Sequence, residues 1–219
     1  MQREGMAGVR DNVRKIFSRL PDYVELVAAV KGRRSEEVSE AIDSGVKIIG
    51  ENYVQEAEEK FSVIGRKVKW HFIGQLQKNK VKKAVKIFDT IETVDSIEIA
   101  EAIDKSCAAV GRVMEIFIEV NSAKEKNKSG VLPEMTEDII KDISGLSNIK
   151  VMGLMTMGPL LKNSEDYRVY FRETKRLFDR IRINHDMKYL SMGMSDSYQI
   201  AIQEGANLVR IGTAIFGPR

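Results

Sequence analysis

One lysine stands where a reactive amine is useful. Lys31 closes the apolar run VELVAAV (24–30) and precedes Gly32. A strand of that composition crosses a dry interior, so the lysine stem starts among apolar atoms and its ammonium is poorly solvated. Poor solvation favours the neutral amine, a nucleophile that forms a Schiff base with a carbonyl. The plainer alternative is a lysine that marks the strand's end and reaches back into water. Far along the sequence, LVRIGTAIFGPR (208–219) sets Arg210, Gly212 and Thr213 at the tip of another apolar run. Gly212 lets backbone approach a ligand closely, and Thr213 adds a hydroxyl and an amide donor. A helix starting near Asp196 offers Ser195 and free N–H groups to an anion. Read as ordinary turn and capping residues, these need no ligand. Arg210 resists that reading, because a guanidinium stays charged and is costly in a core unless it faces a carboxylate, a phosphate or a ring nitrogen.

Taken together, these residues ask for a ligand with a carbonyl for Lys31, a phosphate for Gly212 and Thr213, and an acceptor for Arg210. Pyridoxal 5′-phosphate carries all three. A phosphorylated sugar held through a class I aldolase type of Schiff base carries the first two.

The elements that must position them are short. Runs rich in Val, Ile and Phe predict strands near 24–30, 46–49, 68–73, 88–93, 112–120, 149–155, 188–192 and 207–211, with amphipathic stretches between them. Ser35 is expected to cap a helix burying Val38, Ala41 and Ile42. Val81, Ala84, Val85 and Phe88 share one helix face, as do Tyr167, Phe171, Thr174, Phe178 and Ile181. Pro133 suits the first turn of a helix burying Met135, Ile139, Ile140 and Ile143. Asp196 with Gln199 resembles a capping box. Eight strands alternating with helices predict an α/β fold, a single closed (β/α)₈ barrel over 1–219. A helix over residues 6–20, before strand one, is expected to fill the place of the missing eighth helix. An open doubly wound sheet is the structural alternative. In such a barrel the C-terminal strand ends build the site.

Composition narrows the partners. The 35 basic and 32 acidic residues leave a formal net charge of +3, which does not call for nucleic acid. The lysines of KNKVKKAVK (78–86) mostly avoid the apolar stripe and read as a solvated helix face. A single cysteine, Cys107, excludes an internal disulfide and any CxxC metal knuckle, and packing is its expected role. No signal peptide or membrane-length apolar run is visible, so a cytoplasmic protein is expected.

The motifs AAVK (28–31), GENYVQE (50–56), WHFIGQLQKNK (70–80), KSG (128–130), GLM (153–155), SMGMS-D (191–196) and VRIGTAIFG (209–217) occur in order over nearly the whole chain. On these the sequence resembles the YggS/PROSC family of pyridoxal phosphate homeostasis proteins. VRIGTAIFG is also similar to the RxGIxxYG segment of alanine racemase barrels. The resemblance implies that Lys31 holds pyridoxal 5′-phosphate as a Schiff base and that Arg210 faces the pyridine nitrogen. It implies further that Gly212, Thr213, Ser195 and Ser191 bind the phosphate, with Asn52 and Met155 beside the cofactor. Arginine at that nitrogen keeps it unprotonated and weakens the ring as an electron sink. Two positions depart from the family: Val30 stands where many relatives have Ser or Thr, and Ser197 where an acidic residue is common.

Two functions compete on this reading. One is a carrier or buffer of pyridoxal phosphate that passes it to apo-enzymes as a monomer. The other is a slow amino-acid racemase, which needs a proton acceptor on each face of its substrate. Only Lys31 is an evident acceptor. Tyr53 is a poor base, and His71 inside WHFIG reads as a hydrogen-bonded structural residue.

Overall fold

The computed structural model describes residues 8–218. Its β-branched runs become strands because alternate side chains point to opposite faces, and here both faces are covered. The strands are β1 (Glu25–Ala29), β2 (Ile48–Glu51), β3 (Lys69–Phe72), β4 (Thr90–Val94), β5 (Met114–Glu119), β6 (Ile149–Met155), β7 (Tyr189–Ser191) and β8 (Leu208–Ile211). All pair in parallel in chain order, and β8 returns to β1 with Val27 opposite Arg210, which closes the barrel. The open-sheet alternative is therefore excluded.

One alternate set of side chains fills the barrel, with Val27, Ile48, Ile73, Phe117, Met152, Met155 and Leu208 in a single cluster. The other set packs outward against helices α2 (Ser35–Asp43), α3 (Val54–Ile64), α4 (Val81–Ile87), α5 (Ile97–Ala108), α6 (Thr136–Asp142), α7 (Arg168–Ile181) and α8 (Tyr198–Gln203). The helix expected over 6–20 spans Val9–Phe17, and residues 6 and 7 lie outside the described part. This extra helix buries Val13 and Ile16, and its Asn12 Nδ2 donates to the Ile215 carbonyl at 2.9 Å. Ile215 belongs to a four-residue helix, Thr213–Phe216, that follows β8. With helices numbered in chain order, the N-terminal one is α1 and the last is α9.

Three local expectations are corrected. Arg34, not Ser35, is the N-cap of α2, because the Glu37 carboxylate accepts the Arg34 N–H at 3.0 Å. The helix at Pro133 starts as a 3₁₀ turn, Pro133–Met135, which leaves Met135 exposed; α6 begins only at Thr136. The Asp196–Gln199 box does not form. Ser197 caps α8, and its Oγ accepts from the Met194 N–H at 3.2 Å. Cys107 is fully buried on α5, where burial raises its thiol pKa, in keeping with a packing role. Lys82, Lys83 and Lys86 are solvated while Val81, Ala84 and Val85 are buried. No helix among the described residues is long and apolar enough to cross a membrane.

Candidate functional site

At the C-terminal end of the barrel a cavity of about 270 Å³ brings the two ends of the sequence together. Lys31, Asn52, Ser195, Arg210, Gly212 and Thr213 all line it. Lys31 is partly exposed, so its surroundings are less dry than its place in the sequence implies. Its Nζ lies 5.3 Å from the centroid of the Tyr53 ring, a cation–π approach that draws the amine toward the exit of β2.

The turn after Lys31 is held from outside the barrel. Glu51, at the end of β2, points away from the interior and is fully buried against α3, where Lys60 Nζ meets its Oε1 at 2.6 Å. Burial raises the Glu51 pKa, and the Lys60 ammonium opposes that rise. The other Glu51 oxygen accepts the Asn52 N–H at 3.0 Å. Lys60 also reaches Glu56 Oε2 at 3.3 Å, and that oxygen accepts the Gly32 N–H at 2.7 Å. One ion-pair chain, buried at Lys60 and Glu51 and part-exposed at Glu56, thus fixes the backbone of both Lys31's neighbour and Asn52. Glu56→Ala should lower stability by about 1.5 kcal/mol through loss of charged hydrogen bonds. At this chain length that is roughly a 4 °C drop in melting temperature, measurable by circular dichroism.

Arg210 is fully enclosed by partners of its own. Its NH1 donates to Ser191 Oγ at 2.5 Å and its NH2 to the Thr156 carbonyl at 2.8 Å. The Nε–H makes no hydrogen bond among the described residues. The Ser191 hydroxyl donates a hydrogen bond to Glu92 Oε2 at 2.5 Å, and His71 Nδ1 lies 2.6 Å from Glu92 Oε1. Glu92 is completely buried and 3.8 Å from Arg210 NH1. Burial alone would raise its pKa, but the His71 hydrogen bond, Arg210 and Ser191 together hold it below the ordinary value. Burial lowers the Arg210 pKa, while Glu92 and Glu119 oppose that shift. An enclosed cation is tolerable here because a carboxylate and two acceptors face it.

The β7 exit and the last turn complete the wall. Gly193 has φ +93°, and a Cβ there would lie 2.6 Å from Ala201 Cβ and 2.8 Å from Tyr198 Cα. Only glycine suits that turn, which aims Met194 and Ser195 into the cavity. Gly193→Ala should therefore destabilise by about 2–3 kcal/mol in urea titration. At Gly212 a Cβ would stand 3.1 Å from the Ala29 carbonyl and 3.4 Å from its Cβ. Ser195 Oγ accepts the Ala214 N–H at 3.2 Å, which ties the β7 exit to α9. Arg33 lines the cavity and pins α9, donating to the Phe216 carbonyl at 3.2 Å and to that of Gly217.

Two expected positions stay outside the lining. Ser191 is fully buried beneath Arg210 with its hydroxyl engaged on both sides, and Met155 is enclosed in the barrel interior. Met157, two residues further on, takes the wall position instead, together with Arg33, Ile73, Met194 and Asp196. Tyr53 and His71 do not line the cavity; His71 is buried against Glu92. No cluster of three or more metal-ligating side chains occurs among the described residues.

The closed parallel barrel, with a lysine after its first strand and an arginine on its last, belongs to a known class: the barrel of the alanine racemase N-terminal domain. The model of that domain family, "Alanine racemase, N-terminal domain", matches residues 6–219. The curated pyridoxal phosphate homeostasis protein of Aquifex aeolicus is 37% identical over 222 residues, covering 99% of this chain and 97% of that protein. The one from Schizosaccharomyces pombe is 36% identical, over 90% and 84% of the two chains. The chain belongs to the family of pyridoxal phosphate homeostasis proteins. Among solved structures, PipY of Synechococcus elongatus with pyridoxal phosphate bound superposes with a TM-score of 0.88 at 30% identity. That match covers 95% of this chain and all of PipY. An alanine racemase of Clostridium difficile shares the barrel alone, with a TM-score of 0.80 at 16% identity over 57% of its own length.

Proposed function

We propose that the cavity holds pyridoxal 5′-phosphate on Lys31 and that the chain carries or buffers it for the cell. One observation supports the reading most: the Lys31 amine, the Arg210 guanidinium and the Ser195, Gly212 and Thr213 segment converge on one cavity of about 270 Å³. That size lies near the lower bound of roughly 300 Å³ for ligand pockets, as a small phosphorylated ring compound requires. When bound, this group supplies an aldehyde that condenses with a primary amine with loss of water, and the condensation is reversible.

In this reading Arg210 offers its Nε–H to the ring nitrogen, while its other donors stay committed to Ser191 and Thr156. Thr213 and Ser195 give hydroxyls to the phosphate, and Gly212 brings the backbone close. Asn52, anchored by Glu51, flanks the ring. Ser191 acts through Arg210 rather than on the phosphate, and Met157 occupies the wall position expected of Met155.

A carrier fits better than a racemase. Among the described residues, the one lining side chain besides Lys31 able to take up a proton is the exposed Asp196. Borohydride reduction followed by peptide mass analysis tests the cofactor reading. A phosphopyridoxyl adduct on Lys31 supports it; an unmodified Lys31 after incubation with pyridoxal phosphate overturns it. Deuterium exchange at the α-carbon of alanine separates carrier from racemase, since only the racemase exchanges it. The reading extends to one monomeric domain in the cytoplasm that hands the cofactor to apo-enzymes. Light scattering tests the monomer, and reactivation of an apo-enzyme tests the transfer.

A further inference from the structure

A second cavity, of about 250 Å³, lies over the exits of β5 and β6. Glu119, Asn121 and Ser122 form its floor, and the 123–129 loop overhangs it. Met157, itself 40% exposed, lies in the wall of both this cavity and the one containing Lys31. Methionine yields easily because its side chain is unbranched and has three rotatable bonds.

Three polar residues of the floor are buried, and two of them are spoken for. Asn121 holds the loop, with Nδ2 donating to the Glu125 carbonyl at 2.9 Å and Oδ1 accepting the Glu125 N–H at 3.0 Å. Ser122 Oγ is bonded to Thr156 Oγ1 at 2.9 Å. Glu119 is the exception. Two residues beyond the inward-facing Phe117, it shares that residue's side of the strand and is 4% exposed. Its carboxylate makes no hydrogen bond or ion pair among the described residues. Asp95 from the β4 exit and Arg210 from β8 act on it electrostatically. In the cavity wall, Lys128 Nζ lies 2.7 Å from Glu125 Oε2 and offsets its charge, although that oxygen makes no hydrogen bond among the described residues. Burial first, and Asp95 second, push the Glu119 pKa up to about 7, against the pull of Arg210.

A buried carboxyl aimed into a cavity with no donor of its own calls for a cationic donor from outside. A metal ion is a poor candidate, because no third ligating side chain joins Glu119 and Asp95. A compact ammonium with an apolar stem suits the space, its stem lying on Val120 and Met157.

We propose that this cavity is a subsite for a small primary ammonium compound, an alkylamine or a free amino acid, whose nitrogen is received by the Glu119 carboxylate. The use of the subsite rests on the function proposed above, since a primary amine is what competes with Lys31 for an aldehyde. An ammonium must first shed a proton. The resting pair is carboxylate and ammonium; the carboxylate oxygen takes that proton transiently, the bonding pair stays on nitrogen, and a neutral amine then faces a neutral carboxyl. A group that titrates near neutrality is suited to that exchange.

The test uses the full-length chain stripped of any cofactor, so it is independent of whether pyridoxal phosphate binds. Calorimetric titration with n-propylamine hydrochloride at pH 8 should show binding, and Glu119→Gln should weaken it by roughly ten- to a hundredfold. Propionate, of similar size and opposite charge, should not bind. In the unsubstituted chain, the carbon resonance of the Glu119 carboxyl should titrate near neutrality, with a midpoint that falls when propylamine is added. Equal affinity of the chain and its Glu119→Gln form, or a midpoint indifferent to propylamine, overturns the subsite. Failure of borohydride trapping at Lys31 overturns only the cofactor reading.

Discussion

Full-length protein carrying Lys31→Ala should emerge colourless from incubation with pyridoxal phosphate and leave no borohydride-stable adduct on any peptide. The expected loss in retention is at least about a hundredfold, or roughly 2.7 kcal/mol, because only the reversible contacts of Arg210, Ser195 and Thr213 remain. Equilibrium dialysis with absorbance readout measures it. The fold should be untouched. Lys31 is partly exposed, and its structural contact is the approach to the Tyr53 ring at 5.3 Å. An unchanged melting temperature with lost retention assigns the lysine to binding. If Lys31→Ala retained a stable chromophore, another amine would be the anchor and the cofactor reading of this cavity would fail.

The second large effect belongs to a residue that touches no ligand. Glu92→Ala removes the carboxylate that faces Arg210, accepts from Ser191 and pairs with His71. It leaves an enclosed guanidinium without its counter-charge, which should destabilise by about 3–5 kcal/mol. The melting temperature should fall by roughly 10 °C, and urea unfolding should give the free energy directly. Glu92→Gln keeps the shape and one acceptor and should lose less. The acid limb carries a signature that simple packing loss would not. The folded Glu92 pKa lies below the ordinary 4.5, so its stabilisation is fully present above 4.5 and drains away as pH falls through the lowered folded value. Glu92→Gln should therefore lose stability less steeply than the unsubstituted protein below pH 4.5.

Much of this arrangement was legible from residue order. The eight strands stand out because runs such as VELVAAV and RVMEIFIEV are separated by helical stripes, and a parallel barrel is the closed way to cover both faces. Lys31, Asn52, Ser195, Arg210, Gly212 and Thr213 could be placed because each follows or ends such a run. Ser191 lies deeper than its place at the end of a strand suggests. It faces inward as Arg210 does but sits beneath it, where its hydroxyl is consumed by Glu92 and Arg210. Met155 also lies deeper, because β6 is still enclosed at that point and the chain reaches the rim only at Met157.

The charged interior was harder to read. His71 and Glu92 are partners from neighbouring strands, and nothing in FDTIET announces that its glutamate meets a histidine twenty-one positions earlier. One signal was available: polar residues such as His71, Glu92 and Glu119 lie inside apolar strands, with His71 and Glu119 spaced by two from the inward-facing Ile73 and Phe117. In a barrel, that spacing sends them to the interior, where each needs a partner. Arg33 gave no signal, since its role depends on where α9 lies.

The pairing of β8 with β1, with Val27 opposite Arg210, has a kinetic meaning. The amine comes from the first strand and the guanidinium from the last, so no partly folded chain that lacks this closure owns a complete site. Contacts so distant in sequence are slow to form. A ligand that requires both ends then binds the closed barrel alone and holds it closed in proportion to its concentration. Occupancy becomes a readout of barrel closure, and a chain that has not closed holds no cargo.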